Sequence, residues 1–139
     1  MEWLTFDGVN WIGVLVAFVA SFALGWVWYS PCAFFPVWAK LGGLTDERMK
    51  QANMGAVFGQ MIVGNILGVV VLAMLMVGLG ASGWLAGLVL GIVVGIAFRA
   101  GAHLVHNGFA LRDWRITLID SAHDTASLAV AGLVLGLFM

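Results

Sequence analysis

Four long apolar segments constrain this chain more than anything else in it: residues 9–29, 54–79, 84–107 and 116–139. A hydrocarbon core of about 30 Å takes roughly 20 residues of helix to cross, and each segment qualifies or nearly does. None alternates with a period of two, and an outer-membrane barrel would need many more strands. Helices satisfy their own backbone hydrogen bonds in lipid, which is the governing constraint there. Composition agrees: 63% of the 139 residues are hydrophobic and 9% are charged, where a soluble domain carries about a quarter charged.

The predicted class is therefore an all-α integral membrane protein, four transmembrane helices in an antiparallel bundle. No linker, low-complexity tract or internal repeat divides it, so residues 1–139 read as a single domain. The first apolar run follows Glu2 and Asp7 with no Lys or Arg, and it exceeds the span of a signal-peptide core, so a retained span is expected. The formal net charge of −1 gives a nucleic-acid partner no electrostatic support. The single cysteine, Cys32, excludes an intramolecular disulfide framework.

Basic residues sort by loop. Lys40, Arg48 and Lys50 lie between spans one and two, and Arg112 and Arg115 between spans three and four. The positive-inside rule places those loops in the cytoplasm and both termini outside it. Tryptophans fall near the proposed boundaries, with Trp3, Trp11 and Trp84 outside and Trp26, Trp28, Trp38 and Trp114 inside.

Pro31 ends the first helix, and Phe34, Phe35, Trp38 and Leu41 after it suggest a short interfacial helix, with an irregular aromatic turn as the alternative. Thr45 followed by Asp46 and Glu47 looks like an N-cap, from which span two would project about two turns beyond the membrane. Asn10 is placed to cap span one, and Gln60 and Asn65 to make interhelical hydrogen bonds. Glycines at four-residue spacing (Gly87, Gly91 and Gly95; Gly55/Gly59; Gly64/Gly68; Gly132/Gly136) allow close helix approach, within one bundle or between copies of a homo-oligomer.

The stretch FRAGAHLVHNG (98–108) holds the chemistry. Span three is unbroken in its apolarity only over 84–98, about 22 Å of helix, and span four only over 128–139, about 18 Å. Completing each crossing draws Arg99 and His103 into the inner bilayer from one helix, and Asp120, His123 and Asp124 from the other. At about 100° per residue, Arg99, His103 and His106 share an arc of about 60°. Asp120, His123, Asp124 and Ser127 share one of about 100°. Two polar stripes on consecutive antiparallel helices should face each other. Counting from a turn near Leu111, Arg99 comes level with His123 and Asp124, and His103 with Asp120. The expected ion pair is Arg99–Asp124 or Arg99–Asp120, with Tyr29, Asn107 and Ser127 as flanking partners.

With neutral histidines this cluster carries one positive and two negative charges. An unpaired charge in hydrocarbon costs about 2.5–3.5 kcal/mol on the lenient insertion scale, so a proton, a metal or another cation is an expected companion. Histidine is the natural switch, whereas arginine stays protonated. Four readings follow. One is a polar pack gluing spans three and four. A second is proton or small-cation handling by Arg99, His103, Asp120, His123 and Asp124. A third is a transition-metal site of His103, His106, Asp120, His123 and Asp124, against which Arg99 would repel the cation. The fourth is enzymatic chemistry, which no nucleophile motif, phosphate-binding loop or metalloprotease signature backs, so no catalytic residue is assigned and no cofactor is required.

Asn10-Trp11, Trp28-Tyr29-Ser30-Pro31, Trp38, and Ile119-Asp120 with His123 form an order that resembles the small bacterial membrane proteins of the domain-of-unknown-function family seventeen-sixty-one. The likeness covers nearly the whole chain. It implies a four-span protein of the bacterial inner membrane and brings no established activity, cofactor or catalytic residue.

Overall fold

A computed structural model describes residues 5–139, and every regular element among them is helical. Glu2 and Trp3 lie outside the described residues. Among the described residues, four helices are long and apolar enough to cross a membrane: Trp11–Trp28, Met54–Gly78, Trp84–Phe109 and Trp114–Leu137.

Helix boundaries follow from local chemistry. Asn10 stays extended and its Oδ1 accepts the Gly13 N–H at 3.0 Å, starting α1 (Trp11–Trp28). That helix stops just before Pro31. The short interfacial helix forms as α2 (Phe35–Leu41), with Pro36 in the first turn, where a missing N–H has no partner to lose. Thr45 Oγ1 accepts from the Arg48 N–H at 3.3 Å and opens α3 (Asp46–Gln51), whose acidic first turn suits the positive end of its dipole.

The two-turn projection of span two does not form. Ala52 is extended (φ −72°, ψ 140°), and Asn53 Oδ1 accepts from the Ala56 N–H at 3.1 Å, so α4 (Met54–Gly78) begins anew. An Asn side chain competes for backbone N–H groups and favours a cap over continuation. Span three comprises α5 (Trp84–Val94), a π-helical turn over Gly95–Ala100, and α6 (Gly101–Phe109). The chain then reverses through Leu111, left-handed at φ 52°, and Asp113 caps α7 (Trp114–Leu137) by accepting from the Arg115 N–H at 2.9 Å.

Helix α7 is the hub, packed against α5, α1, α4 and α2. Its closest neighbour is α5, and glycine is the reason. A Cβ on Gly87 would run into the Gly132 carbonyl, one on Gly91 into the Leu128 carbonyl, and one on Gly136 into the Gly83 carbonyl. Each step of four along α5 is thus matched by a step of four back along α7. In lipid, such backbone approach replaces the missing hydrophobic drive with dispersion contact. The core joins Val14 and Ala17 of α1 to Val69, Leu72, Ala73 and Met76 of α4, and to Leu128, Ala131 and Leu135 of α7.

Span two divides into two halves. Its C-terminal half carries that core, while every residue from Met54 to Val63 is exposed. Asn65 accepts from Ser21 Oγ at 3.0 Å, the expected interhelical bond. Gln60 makes none among the described residues, because nothing stands beside it. Gly59 and Gly64 likewise meet only open space where a Cβ would sit.

Candidate functional site

The polar cluster sits between spans three and four. Its centre is Asp124, about 15 Å along α7 from Trp114 at the usual helical rise. Oδ2 of Asp124 faces span three, with Arg99 Nη1 at 3.8 Å and His103 Nε2 at 3.2 Å. Oδ1 faces its own helix and accepts from His123 Nδ1 at 2.9 Å. With that ring nitrogen donating, His123 Nε2 is the acceptor for the Ser127 hydroxyl at 3.3 Å. The result is an unbroken line, Ser127–His123–Asp124–His103, running from α7 across to α6. It is half-buried: side-chain exposure is 24% at Asp124, 18% at His123, 31% at His103 and 38% at Arg99.

Arg99 reaches three spans. Its Nη2 donates to the Gly64 carbonyl of α4 at 3.1 Å, and a Cβ at Gly68 would stand 2.9 Å from the same nitrogen. The Gly64/Gly68 pair, which reads in sequence as a helix-packing stripe, frames a guanidinium instead. Gly25 does the same for His123: a Cβ there would lie 3.1 Å from Nε2. The imidazole is further walled by the Trp28 and Tyr29 rings, at 5.9 and 4.9 Å between centroids.

Asp120 belongs to a different arrangement. The alternative Arg99–Asp120 pair does not form, and neither does contact with His103. Instead the Tyr29 hydroxyl and the Trp38 indole N–H both donate to Asp120 Oδ1, at 2.7 and 2.8 Å. Spans one and four and the interfacial helix α2 therefore meet on one carboxylate oxygen. No cation lies within bridging distance of Asp120 among the described residues.

The π turn explains why His106 is missing from the cluster. Hydrogen bonds of the i→i+5 type fit an extra residue into one turn and re-phase everything beyond it. Gly95, which opens that turn, faces Thr125 and so keeps the step of four from Gly91 on Ala129, and the change of phase falls after it. In α6 the inward face then runs through His103 and Asn107; Asn107 is buried and His106 exposed. Asn107 makes no contact with the carboxylates, and its Nδ2 is buried without a partner among the described residues.

The five residues His103, His106, Asp120, His123 and Asp124 are thus not brought together as a ligand set. No three His, Cys, Asp or Glu side chains converge in a metal-holding arrangement among the described residues.

Trp38 is the site residue that sequence reading missed. It looks like one more interfacial aromatic, yet a half-buried indole N–H needs an acceptor, and Asp120 is the nearest carboxylate one span away. Gly25 and Gly68 also escape a reading that treats glycines as helix–helix spacers.

Residues 12–136 match the family described as "Protein of unknown function (DUF1761)". No curated protein and no solved structure matches the chain.

Proposed function

We propose that this chain, which belongs to the DUF1761 family, is a multi-pass protein of the bacterial inner membrane that takes up and relays a proton, or a small cation in its place, through the cluster between spans three and four. The observation that carries this reading is the line Ser127–His123–Asp124–His103. A proton added to His123 Nε2 or to the free nitrogen of His103 makes an imidazolium whose counter-ion, Asp124, is already in contact. Such a line passes protons by exchange of hydrogen bonds, with Arg99 holding the carboxylate in place and staying charged throughout. Asp120 is the second station. Its Oδ1 is held by neutral donors, so a proton or small cation at Oδ2 removes the net charge of the cluster. We assign no catalytic role to these groups.

The positive-inside rule supports an orientation with both termini outside the cytoplasm, the basic loops inside, and Asp120 nearer the cytoplasm than Asp124. The test is proton or cation flux into liposomes carrying the purified protein. Asp124→Asn and His123→Ala should each abolish it, and Ser127→Ala should slow it. Unchanged flux in both of the first two sinks the proposal.

A second reading, a polar pack that fixes the spans, draws on a separate observation. Arg99 ties α4 to α7, and Asp120 ties α1 and α2 to α7. On that reading the wild-type protein carries no flux and Arg99→Ala lowers yield and thermal stability.

A further inference from the structure

A groove of about 450 Å³ lies between α6 and α7, lined by none of the residues of the Asp124 line. This is within the range of roughly 300–1,000 Å³ of ordinary ligand sites. One wall is a stripe of α6, Ala100, Leu104 and Gly108; the other is the α7 stripe carrying Trp114 and Leu118. The groove runs parallel to the helices, so anything seated in it lies along the membrane normal.

Its mouth is charged. Arg112, in the turn between the two helices, lines the groove and is exposed, and no carboxylate pairs with it among the described residues. Its neighbour Arg115 is committed, with Nε and Nη2 on Asp113 at 3.0 and 2.7 Å. The left-handed Leu111 and the bond from the Arg112 N–H to the Asn107 carbonyl at 3.0 Å fix where that free guanidinium leaves the turn. Trp114, largely exposed beside it, is an aromatic of the kind that sits at headgroup level.

An apolar furrow of helical length, opening at the membrane interface beside one unpaired guanidinium, matches one ligand chemistry. We infer that the groove is a site for an anionic phospholipid, with an acyl chain along Leu104 and Leu118 and the phosphate on Arg112. A guanidinium presents a fork of N–H donors that suits a phosphate, and basic pockets between spans on the cytoplasmic side are where such headgroups bind. Glycine at 108 leaves the floor open, since a Cβ there meets nothing within 4 Å. The site is independent of the proton relay.

The test is native mass spectrometry of the full chain released from nanodiscs of equal phosphatidylglycerol and phosphatidylcholine. The wild type should retain phosphatidylglycerol at least about tenfold over phosphatidylcholine. Arg112→Gln should remove that preference, and Gly108→Leu should remove retention of both lipids while leaving helix content unchanged. Lys50→Gln, an exposed basic residue far along the chain, should change neither. Equal retention of the two lipids by the wild type overturns the inference, as does a phosphatidylglycerol preference that survives Arg112→Gln in a correctly folded protein.

Discussion

The hydroxyl of Tyr29 donates to Asp120 Oδ1 at 2.7 Å, and through that bond the last turn of span one is fastened to span four. Trp38 donates to the same oxygen, so each bond partly covers for the other. A hydrogen bond to a charged acceptor contributes about 1.5–3 kcal/mol, and here the lower end applies because one donor remains after a single change. Tyr29→Phe and Trp38→Phe should each lower the unfolding free energy by about 1.5 kcal/mol. The double variant should lose more than the two losses added, because it leaves the carboxylate with neither donor. Equilibrium unfolding in mixed detergent reads this, and strict additivity would show that the two donors act separately.

Gly87, Gly91 and Gly132 sit where a methyl group would enter the backbone of the facing helix, whereas Gly59 faces open space. Backbone cannot move aside as a flexible side chain can. Gly87→Ala, Gly91→Ala and Gly132→Ala should each destabilise by about 2–4 kcal/mol, in the range of overpacked cores or above it. Gly59→Ala should be neutral or stabilising by up to about 1 kcal/mol, the helix-propensity difference. Should Gly59→Ala be the damaging one, span two would pack against something other than this chain, and a change in oligomeric state would accompany it.

How far the sequence reveals this molecule depends on whether a feature is local or shared between elements. Span lengths, the caps at Asn10 and Thr45, and the reversal near Leu111 are local, and all are legible. So is the Arg99–Asp124 pair, since the arithmetic of one tight turn sets which residues come level. The break at Ala52 and Asn53 is local too, but an acidic first turn masks it. The π turn is not local. It opens at Gly95, which packs on Thr125 of another helix, and it decides that Asn107 rather than His106 turns inward. The Tyr29–Asp120–Trp38 clasp needs three elements in register, and no spacing in the chain encodes that. Gly25 and Gly68 have the same character: what they make room for is a side chain from another helix.

Arg99 and Asp124 approach at 3.8 Å, with the guanidinium also on the Gly64 carbonyl. Removing one partner leaves the other charge partly buried, which matters more than the attraction itself. Because both groups keep some exposure, Arg99→Gln should cost about 1–3 kcal/mol, below the 3–5 of a fully buried pair. Asp124→Asn in that background should recover part of the loss. A double-mutant cycle measures the coupling, and a value near zero would mean that Arg99 acts only through span two.

Hydrogen bonds from the Arg115 guanidinium hold the Asp113 carboxyl down at about 2, well below its ordinary value. The depressed value means the charged, capping form is favoured by the folded state. Its contribution to stability is present in full above about pH 5, where the carboxyl is ionised whether the chain is folded or not. It is lost as the pH falls toward 2. The difference in melting temperature between the wild type and Asp113→Ala should therefore be constant from pH 7 to about pH 5. It should shrink toward zero near pH 2. A difference that stays the same from pH 5 down to pH 2 would mean that the folded carboxyl keeps its ordinary value, without the Arg115 bonds.

The extra residue of the π turn gives the sharpest test of how the site is built. Deleting Ala97, which is exposed, should convert Gly95–Ala100 to ordinary α-helix. With the extra residue gone, the segments on either side keep their places, so Arg99, His103 and Asn107 should stay on the α7 face and stability should change by no more than about 1 kcal/mol. Hydrogen exchange checks this: amides of Gly101–Phe109 should stay as protected as in the wild type. Faster exchange there, with Trp84–Val94 still protected, would mean that the inner half had rotated by about 100° and that Gly95–Ala100 does not hold an extra residue.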